Sequence, residues 1–573
     1  MPSIAPHPLL AGFAATLTLV LAGCSASSED NAQPRLSEST SPGLQQAQQG
    51  ASAYRAKAAT EAKAVVQAQE AQRRAQALPM SAPALLADSV GFGYQDVNRE
   101  QYQKIESNPV QAVAEQPVST FSIDVDTGAY ANVRRFLNGG SLPPRDAVRL
   151  EELVNYFPYA YPKPEGDVPF SVATELATTP WNPETRLLRV AIKATEMSAA
   201  ELPPANLVFL VDVSGSMDRR EGLPMVQATL KLLVDQLRPQ DRVALVTYAG
   251  TAGVVLESTA GSDKARIRVA IDRLSAGGST AGESGIQLAY QEAQKGLLKG
   301  GINRILLATD GDFNVGISDF ETLKQLAADK RKTGVSLTTL GFGVGNYNEQ
   351  LMEQLADAGD GNYAYIDNLR EARKVLVDQL SSTLAVVAKD VKIQVEFNPA
   401  EVSEYRLLGY ENRALKREDF GNDKIDAGEI GAGHTVTALY EVVPVGAKGW
   451  LEPLRYAQAN EKPGKAGEIA WLRLRYKAPE GGASQLVERL IGKGEATPIN
   501  QASEDLRFAA AVAAFAQQLR DAKYTGDFSL ADSARLARGA KGEDPFGLRG
   551  EFVQLVELAQ SLQTPQNVQV RAD

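Results

Sequence analysis

Apolar runs alternate with segments of helical spacing in the middle of the chain. The run LVFLV at 207–211 places five apolar residues in succession, as expected for a strand buried on both faces. Val226, Leu230, Leu233 and Leu237 then recur at helical spacing. The later apolar runs RVALVTY and RILLAT also have the pattern of buried strands. Because strands that alternate with helices form parallel sheets, this block predicts an α/β doubly wound fold.

Strand-like alternation on both sides of this block predicts a second structural layer. It occurs before the block in VPFSVATELATTPWNPETRLLRVAIKA and after it in KDVKIQVEFNP, HTVTALYEVVP and EIAWLRLRYKAP. We therefore expect the α/β unit to be inserted in a β-sandwich whose early strands pair with its late ones. Two apolar stripes at helical spacing then predict a C-terminal helical region, and their members are Phe508, Val512, Phe515, Leu519, Phe552, Leu555, Ala559 and Leu562.

The N-terminal end has the pattern of a targeting signal. Leu9 to Ala22 is uncharged and mostly apolar, and it is too short to span a bilayer as a helix. The following LAGC resembles the bacterial lipoprotein signal, with cleavage before Cys24, although no Lys or Arg precedes the apolar stretch. Ser25 after the cysteine resembles the outer-membrane default of Gram-negative lipoproteins. The resemblance implies a protein attached to the outer membrane through a lipid on Cys24 alone.

The segment after the cysteine is rich in Ala, Gln, Ser and Glu and poor in large apolar residues. It cannot bury a core of its own, so we expect a disordered or helical tether. The predicted divisions are the signal peptide (1–23), tether (24–87), N-terminal flanking module (88–166), first sandwich strands (167–204), α/β domain (205–385), second sandwich part (386–480) and C-terminal helical region (481–573).

Composition removes several function classes. The 59 basic and 70 acidic residues give a net charge of −11, which argues against nucleic acid as a partner because phosphate binding needs a basic stripe. A single cysteine forms neither an internal disulfide nor a thiolate zinc cluster. Of the two histidines, His7 lies in the predicted signal, and His434 enters a predicted strand. Histidine-based catalysis is therefore not expected.

Polar oxygen donors follow two of the predicted strands. Asp212, Ser214 and Ser216 come directly after the run at 207–211, and Asp310 follows RILLAT. In doubly wound sheets ligands bind at the carboxyl ends of the strands. Hydroxyl and carboxylate oxygens are hard ligands, and a site with few direct protein ligands suits Mg²⁺ best, with Ca²⁺ or Mn²⁺ as alternatives.

The same residues resemble a known family. The sequence Asp-Val-Ser-Gly-Ser from Asp212 to Ser216 is the D-x-S-x-S signature of von Willebrand factor type A domains, and Thr280 and Asp310 match the family's later metal-site positions. The resemblance covers 205–385 and implies a metal-ion-dependent adhesion site. It further implies that Ser214, Ser216 and Thr280 approach the metal, with the aspartates direct or through water. An Asp or Glu of a protein partner would complete the metal's ligand shell.

The flanking sequence adds architecture to this resemblance. Segments such as TFSIDVDTGAYANVRRFLNGG and NDKIDAGEIGAGHTVTALYEV resemble bacterial lipoproteins that flank a von Willebrand A domain with N- and C-terminal domains of their own. This wider resemblance begins at about residue 90 and implies no catalytic activity.

Two alternatives remain open at the level of sequence. FSIDVDTG resembles the D-x-D-x-T motif of haloacid-dehalogenase-type phosphatases, with Asp124 as nucleophile and Asp126 as general acid, but Gly128 stands where the motif has threonine. A helix cap by Asp126 or Thr127 is a simpler account of the motif. The other alternative is a structural scaffold in which the metal only stabilises the domain.

Overall fold

The computed structural model describes residues 99–198, 200–279, 282–311, 320–425, 427–452, 465, 467–494 and 496–563. The predicted signal peptide, Cys24 and the predicted tether lie outside these residues.

The described residues form strands and helices with the following bounds. The strands are β1 (Gln111–Ala112), β2 (Val118–Ser122), β3 (Phe170–Thr179), β4 (Asn182–Ala194), β5 (Ala205–Asp212), β6 (Arg242–Tyr248), β7 (Ala252–Ala260), β8 (Ile302–Thr309), β9 (Ser336–Gly341), β10 (Tyr363–Tyr365), β11 (Val386–Phe397), β12 (Val402–Leu408), β13 (Ile430–Gly431), β14 (Thr435–Pro444), β15 (Glu468–Lys477) and β16 (Gln485–Gly492). The helices are α1 (Gly128–Asn138), α2 (Leu150–Asn155), α3 (Leu223–Gln236), α4 (Lys264–Asp272), α5 (Gly282–Lys295), α6 (Phe320–Arg331), α7 (Glu349–Ala358), α8 (Leu369–Arg373), α9 (Leu380–Leu384), α10 (Glu504–Arg520), α11 (Leu530–Arg538) and α12 (Leu548–Gln563). A π-helical turn, Lys374–Asp378, connects α8 to α9.

The central α/β domain is a six-stranded sheet in the order β10-β9-β8-β5-β6-β7. All neighbours are parallel except β6 and β7. Every residue of β5 is buried, which explains the continuous apolar run. The chain passes from β5 to β6 on one side and later to β8 on the other, so the strand order reverses at β5. This reversal places a ligand crevice at the carboxyl end of β5.

The β-sandwich encloses a second core between two sheets. One sheet has the order β1-β12-β14-β4-β3, and the other contains β13, β11, β15 and β16 with β2 beside β11. Residues of both sheets form one buried apolar cluster that includes Val190, Tyr440, Val395 and Leu472. Strand β4 pairs with β14, with Val190 opposite Ala438. Early strands thus pair with late ones, and the predicted fold class is confirmed.

Three strands lie outside the ranges that the sequence assigns to the sandwich. Strand β1, within the predicted N-terminal module, pairs with β12. Strand β2, within the predicted N-terminal module, pairs with β11. Strand β16, within the region predicted as helical from 481, pairs with β15. The apolar pairs at 486–487 and 490–491 are spaced as on a helix, yet the segment forms an exposed edge strand in which Leu486 and Leu490 are about half exposed. The helical assignment of 481–573 is therefore wrong at its beginning.

The C-terminal helices cover the outer face of the β4 sheet. Phe508, Phe515 and Phe552 are fully buried and meet edge to face, and Phe157 joins them from the chain after α2. Both predicted apolar stripes lie in this cluster, with Leu562 packed at its border. Among the described residues, no helix combines the length and the apolar character needed to cross a membrane.

Candidate metal site

Two aspartates lie at neighbouring strand ends, as the sequence predicts. Asp212 is the last residue of β5, and Asp310 follows β8, whose Ala308 is in register with Val211. Both side chains are buried. Burial raises the pKa of Asp212 to about 6, and the nearby charge of Asp310 acts in the same direction. The crevice therefore holds two buried carboxyl groups close together, and a divalent cation bound there would favour their ionised form.

The carboxylate of Asp212 is held in place by three hydrogen bonds. The backbone N–H of Ser214 donates to Oδ1 over 2.9 Å, and the Thr309 hydroxyl donates to Oδ2 over 2.7 Å. The Tyr248 hydroxyl donates to the same Oδ2 over 3.3 Å. Thr309 and Tyr248 belong to no motif in the sequence, although both end strands adjacent to Asp212. These partners fix Asp212 as an orienting group at the base of the site.

The two serines present their hydroxyls together. Ser214 Oγ lies 3.0 Å from Ser216 Oγ, so the two oxygens lie close enough to share one ligand. Their loop is fastened to the 277–278 turn, because Gly215 N–H donates to Gly278 O and Gly277 N–H donates to Val213 O. Ser214 is buried and Ser216 is partly exposed. Ser216 thus marks the side of the pair that is open to solvent.

Asp310 is positioned by the loop after β9. The Asn346 side chain donates to Asp310 Oδ2 over 3.0 Å. Gly343 has a positive φ of 78°, and a Cβ there would lie 3.2 Å from the Cβ of Asp310. Glycine therefore allows this loop to approach the aspartate closely. Asn346 likewise belongs to no sequence motif, and its only signal is that it follows the end of a core strand.

The donor set fits a hard divalent cation. Asp212, Ser214, Ser216 and Asp310 lie at one edge of the sheet, and together they offer only hydroxyl and carboxylate oxygens. Thr280, the remaining predicted ligand, lies outside the described residues.

A second group of carboxylates lies elsewhere in the molecule. Ligand oxygens of Asp124, Asp126 and Asp357 lie within 4.8 Å of one another. The guanidinium of Arg413 contacts all three, at 3.2 Å from Asp124 and 3.3 Å from Asp126, and also pairs with Glu353. Since a permanent cation already occupies the centre of this group, we interpret it as a structural ion-pair cluster rather than a metal site.

The surroundings of Asp124 and Asp126 argue against the phosphatase alternative. Asp126 Oδ1 accepts a hydrogen bond from Tyr363 N–H, and strand β2 before it runs antiparallel to β11. The predicted helix cap is also wrong: Thr127 makes no side-chain cap bond, and Glu152 accepts from Ala129 N–H at the first turn of α1 instead. A carboxylate from α2, distant from the motif in sequence but next to it in space, takes the place of the local cap.

Comparison with known proteins gives matches over most of the chain. Residues 206–379 match the family model described as von Willebrand factor type A domain, and residues 382–562 match that described as Uncharacterized protein YfbK, C-terminal. Residues 96–189 match a model described as von Willebrand factor. Together these models place a von Willebrand A domain between matched flanking segments, as the strand pairing does.

Individual relatives differ in how much of the chain they cover. The Uncharacterized protein YfbK of Escherichia coli (strain K12) is 51% identical over 500 residues, which cover 86% of this chain and 86% of that protein. The Uncharacterized protein sll0103 of Synechocystis sp. is 35% identical over 188 residues, or 33% of this chain and 43% of that protein. A solved von Willebrand factor type A structure from Catenulispora acidiphila covers 66% of this chain and 88% of its own, at 16% identity and a TM-score of 0.37.

Proposed function

The chain belongs to the family of the Escherichia coli protein YfbK, and on that premise we propose that it is a metal-dependent binding protein of the bacterial envelope. Von Willebrand A domains generally serve protein interaction. The observation that carries the proposal is the pair of serine hydroxyls 3.0 Å apart, beside two buried aspartates at the switch point of the sheet.

Asp212, Ser214, Ser216, Thr280 and Asp310 would hold the cation, most suitably Mg²⁺. A bound divalent cation would supply a positive charge that neutral hydroxyls leave largely uncompensated. The carboxylate of an Asp or Glu on a protein partner is the group that such a charge attracts. The protein's own groups orient the loop: Thr309 and Tyr248 fix Asp212, and Asn346 fixes Asp310.

The proposed location is the outer membrane, with the folded body attached through a lipid on Cys24 and held away from the surface by the segment 24–87. Metabolic palmitate labelling tests this part alone. Label should enter the wild-type protein and not a Cys24→Ala variant, and equal labelling of both would contradict the anchor. No enzymatic activity is proposed.

Selection of peptides tests the binding function. Random peptides retained by the full chain in Mg²⁺ and released by chelator should be enriched in Asp or Glu, and changing that carboxylate to its amide should remove binding. A Ser216→Ala variant should retain far fewer of the same peptides. If peptides bind equally well with chelator present, the metal is at most a stabiliser and the scaffold alternative is correct.

A further inference from the structure

A cavity lies where the chain enters and leaves the von Willebrand A domain. Its volume is about 810 Å³, which is within the usual range of small-molecule sites. Met197 and Ser198 line it from the segment between β4 and β5, and Ser381 and Ser382 line it from the segment before β11. The cavity therefore touches both connections between the metal domain and the sandwich.

The cavity has an apolar side. Phe157, Tyr159 and Leu548 are buried in the helical core and contribute to the lining. Phe546 also lines the cavity, but it is 54% exposed. Phenylalanine side chains are usually buried much more completely. An apolar body of a ligand would find contacts on these side chains.

Four cations line the same cavity, and they differ in how well they are paired. Lys374 is buried, with its ammonium 3.4 Å from Glu371 and 3.6 Å from the centre of the Tyr156 ring. Lys193 donates to Gly433 O over 2.9 Å. Arg370 and Arg373 are mostly exposed, and within the described part of the chain their carboxylate partners lie at 3.9 and 3.8 Å. Salt bridges of that length in solvent leave most of the positive charge available to a ligand.

The carboxylates of the lining are already engaged. Glu196 lies 3.2 Å from Lys193 and 2.7 Å from Lys163, and Glu201 accepts from Ser198 N–H over 2.7 Å. Asp378 is the loose partner of Arg373. The lining thus favours an anion over a cation.

Two further features indicate a functional rather than a purely structural cavity. Lys374 and Asp378 begin and end the π-helical turn, a rare geometry that occurs frequently at functional sites. His434 also lines the cavity, and within the described residues its imidazole makes no hydrogen bond. Burial and the charges of Lys374 and Lys193 lower its pKa to about 4. A polar ring beside two ammonium groups is suited to receive an anion.

We propose that this cavity binds a small organic carboxylate with an apolar body, held between Lys374, Arg373 and His434 and packed against Phe157 and Phe546. Because both connections of the metal domain contribute to the lining, the bound anion braces that domain against the sandwich. This site is separate from the metal crevice, and its occupancy does not depend on the metal.

Calorimetry with octanoate on the full chain tests the proposal, with octanamide as a neutral probe of the same shape. Octanoate should bind one molecule per chain, and octanamide should bind at least about tenfold more weakly. Inorganic phosphate, which has the charge without the apolar body, should also bind more weakly than octanoate. Equal affinity for octanoate and octanamide, or no binding of octanoate, would overturn the assignment.

Two variants and a control locate the site. Arg373→Ala removes an exposed cation and should fold normally, and Lys374→Met removes the buried one; each should weaken octanoate binding at least about tenfold. Arg266→Ala, an exposed cation on α4 outside the lining, should leave it unchanged. In nuclear magnetic resonance titrations the pKa of His434 should rise from about 4 when octanoate is added. If Arg373→Ala binds octanoate normally and the histidine pKa stays constant, octanoate does not occupy this cavity.

Discussion

At the residue scale, the candidate metal ligands depend on neighbours that would not touch the metal. Asp212 accepts hydrogen bonds from Ser214 N–H, Thr309 and Tyr248, and this arrangement fixes a carboxylate that burial would otherwise favour protonating. Ser216 has a different role, because its partly exposed hydroxyl lies beside Ser214 at the open side of the crevice. Substitutions at these two kinds of position should therefore have different consequences.

Ser216→Ala should weaken metal binding without unfolding the protein. The change removes one hydroxyl from the pair and no core contact, so Mg²⁺ affinity measured by calorimetry should fall at least about tenfold, or about 1.4 kcal/mol. The melting temperature without metal should stay at the wild-type value. Ser262→Ala, an exposed serine after β7, is the matched control and should bind Mg²⁺ normally.

Thr309→Val should damage the fold and the site together. Valine has nearly the same shape but cannot donate to Asp212 Oδ2 or accept from Gly311 N–H, so both buried groups lose a partner. The expected cost is about 1–3 kcal/mol in the free energy of unfolding, measured by urea denaturation. Tyr248→Phe removes the longer bond of 3.3 Å to Asp212 and leaves the Thr309 donor in place, so it should cost less. If Tyr248→Phe lowers the free energy of unfolding more than Thr309→Val does, the tyrosine rather than the threonine is the more important donor to Asp212.

At the element scale, α7 links the metal domain to the rest of the protein. Glu349 and Glu353 lie one helical turn apart and both pair with Arg149, at 3.2 and 2.8 Å, and all three side chains are almost completely buried. Removing one partner of a buried ion pair is strongly destabilising, because the remaining charge is left without a counter-ion and without solvent. Helix α7 is therefore bound to the segment before α2 by charge as well as by packing.

Arg149→Met should destabilise the protein by about 3–5 kcal/mol, since it leaves Glu349 buried without a cation and leaves Glu353 with Arg413 alone. Arg145→Met is the matched control. Arg145 is 64% exposed and pairs with Asp521 at 3.0 Å, so its loss should cost less than about 1 kcal/mol. Urea denaturation of both variants gives the comparison, and equal losses would show that burial of the Arg149 network contributes little.

The elements of the α/β domain could be predicted because their patterns are local. The run at 207–211 and the helical spacing from Val226 to Leu237 each contain enough information to identify a buried strand and an amphipathic helix. The long-range partners could not be predicted. The spacing of carboxylates on α7 is equally typical of a solvated face, and nothing near Glu349 in the sequence points to Arg149. Strand β16 was missed for the same reason, since only its pairing with β15 makes it a strand.

At the scale of the whole molecule, one buried acidic network joins three segments of the chain. Burial raises the pKa of Asp124 and of Glu349 to about 7, although Arg413 and Arg149 beside them act in the opposite direction. Burial also raises the pKa of Asp126 and Glu152. These groups bind protons more tightly in the folded protein than in the unfolded chain. Their contribution to stability is complete at low pH and is lost as the pH rises towards 7 and above.

The free energy of unfolding should therefore fall between pH 6.5 and 8. Below that range His434 opposes the trend, because its pKa is lower in the folded protein, about 4 against 6.5, and its contribution is lost as the pH falls. The asparagine of an Asp124→Asn variant cannot ionise. The fall in the free energy of unfolding over this pH range should therefore be smaller in this variant, by on the order of 1 kcal/mol. Glu106→Gln, whose side chain is 83% exposed, is the control and should leave the profile unchanged. An increase in stability over this range would contradict the assignment of protonated buried carboxyls.

We propose that the crevice at Asp212 holds a divalent cation that accepts a carboxylate from outside the chain. Water-proton relaxation with Mn²⁺ as the metal measures both properties on the full-length protein. Bound Mn²⁺ should enhance the relaxation of water, acetate should reduce that enhancement by replacing coordinated water, and acetamide should not. Ser216→Ala should show weaker enhancement at the same Mn²⁺ concentration. Failure of the wild type to bind Mn²⁺, or an equal response to acetate and acetamide, would show that this crevice is not a metal site that accepts an external carboxylate.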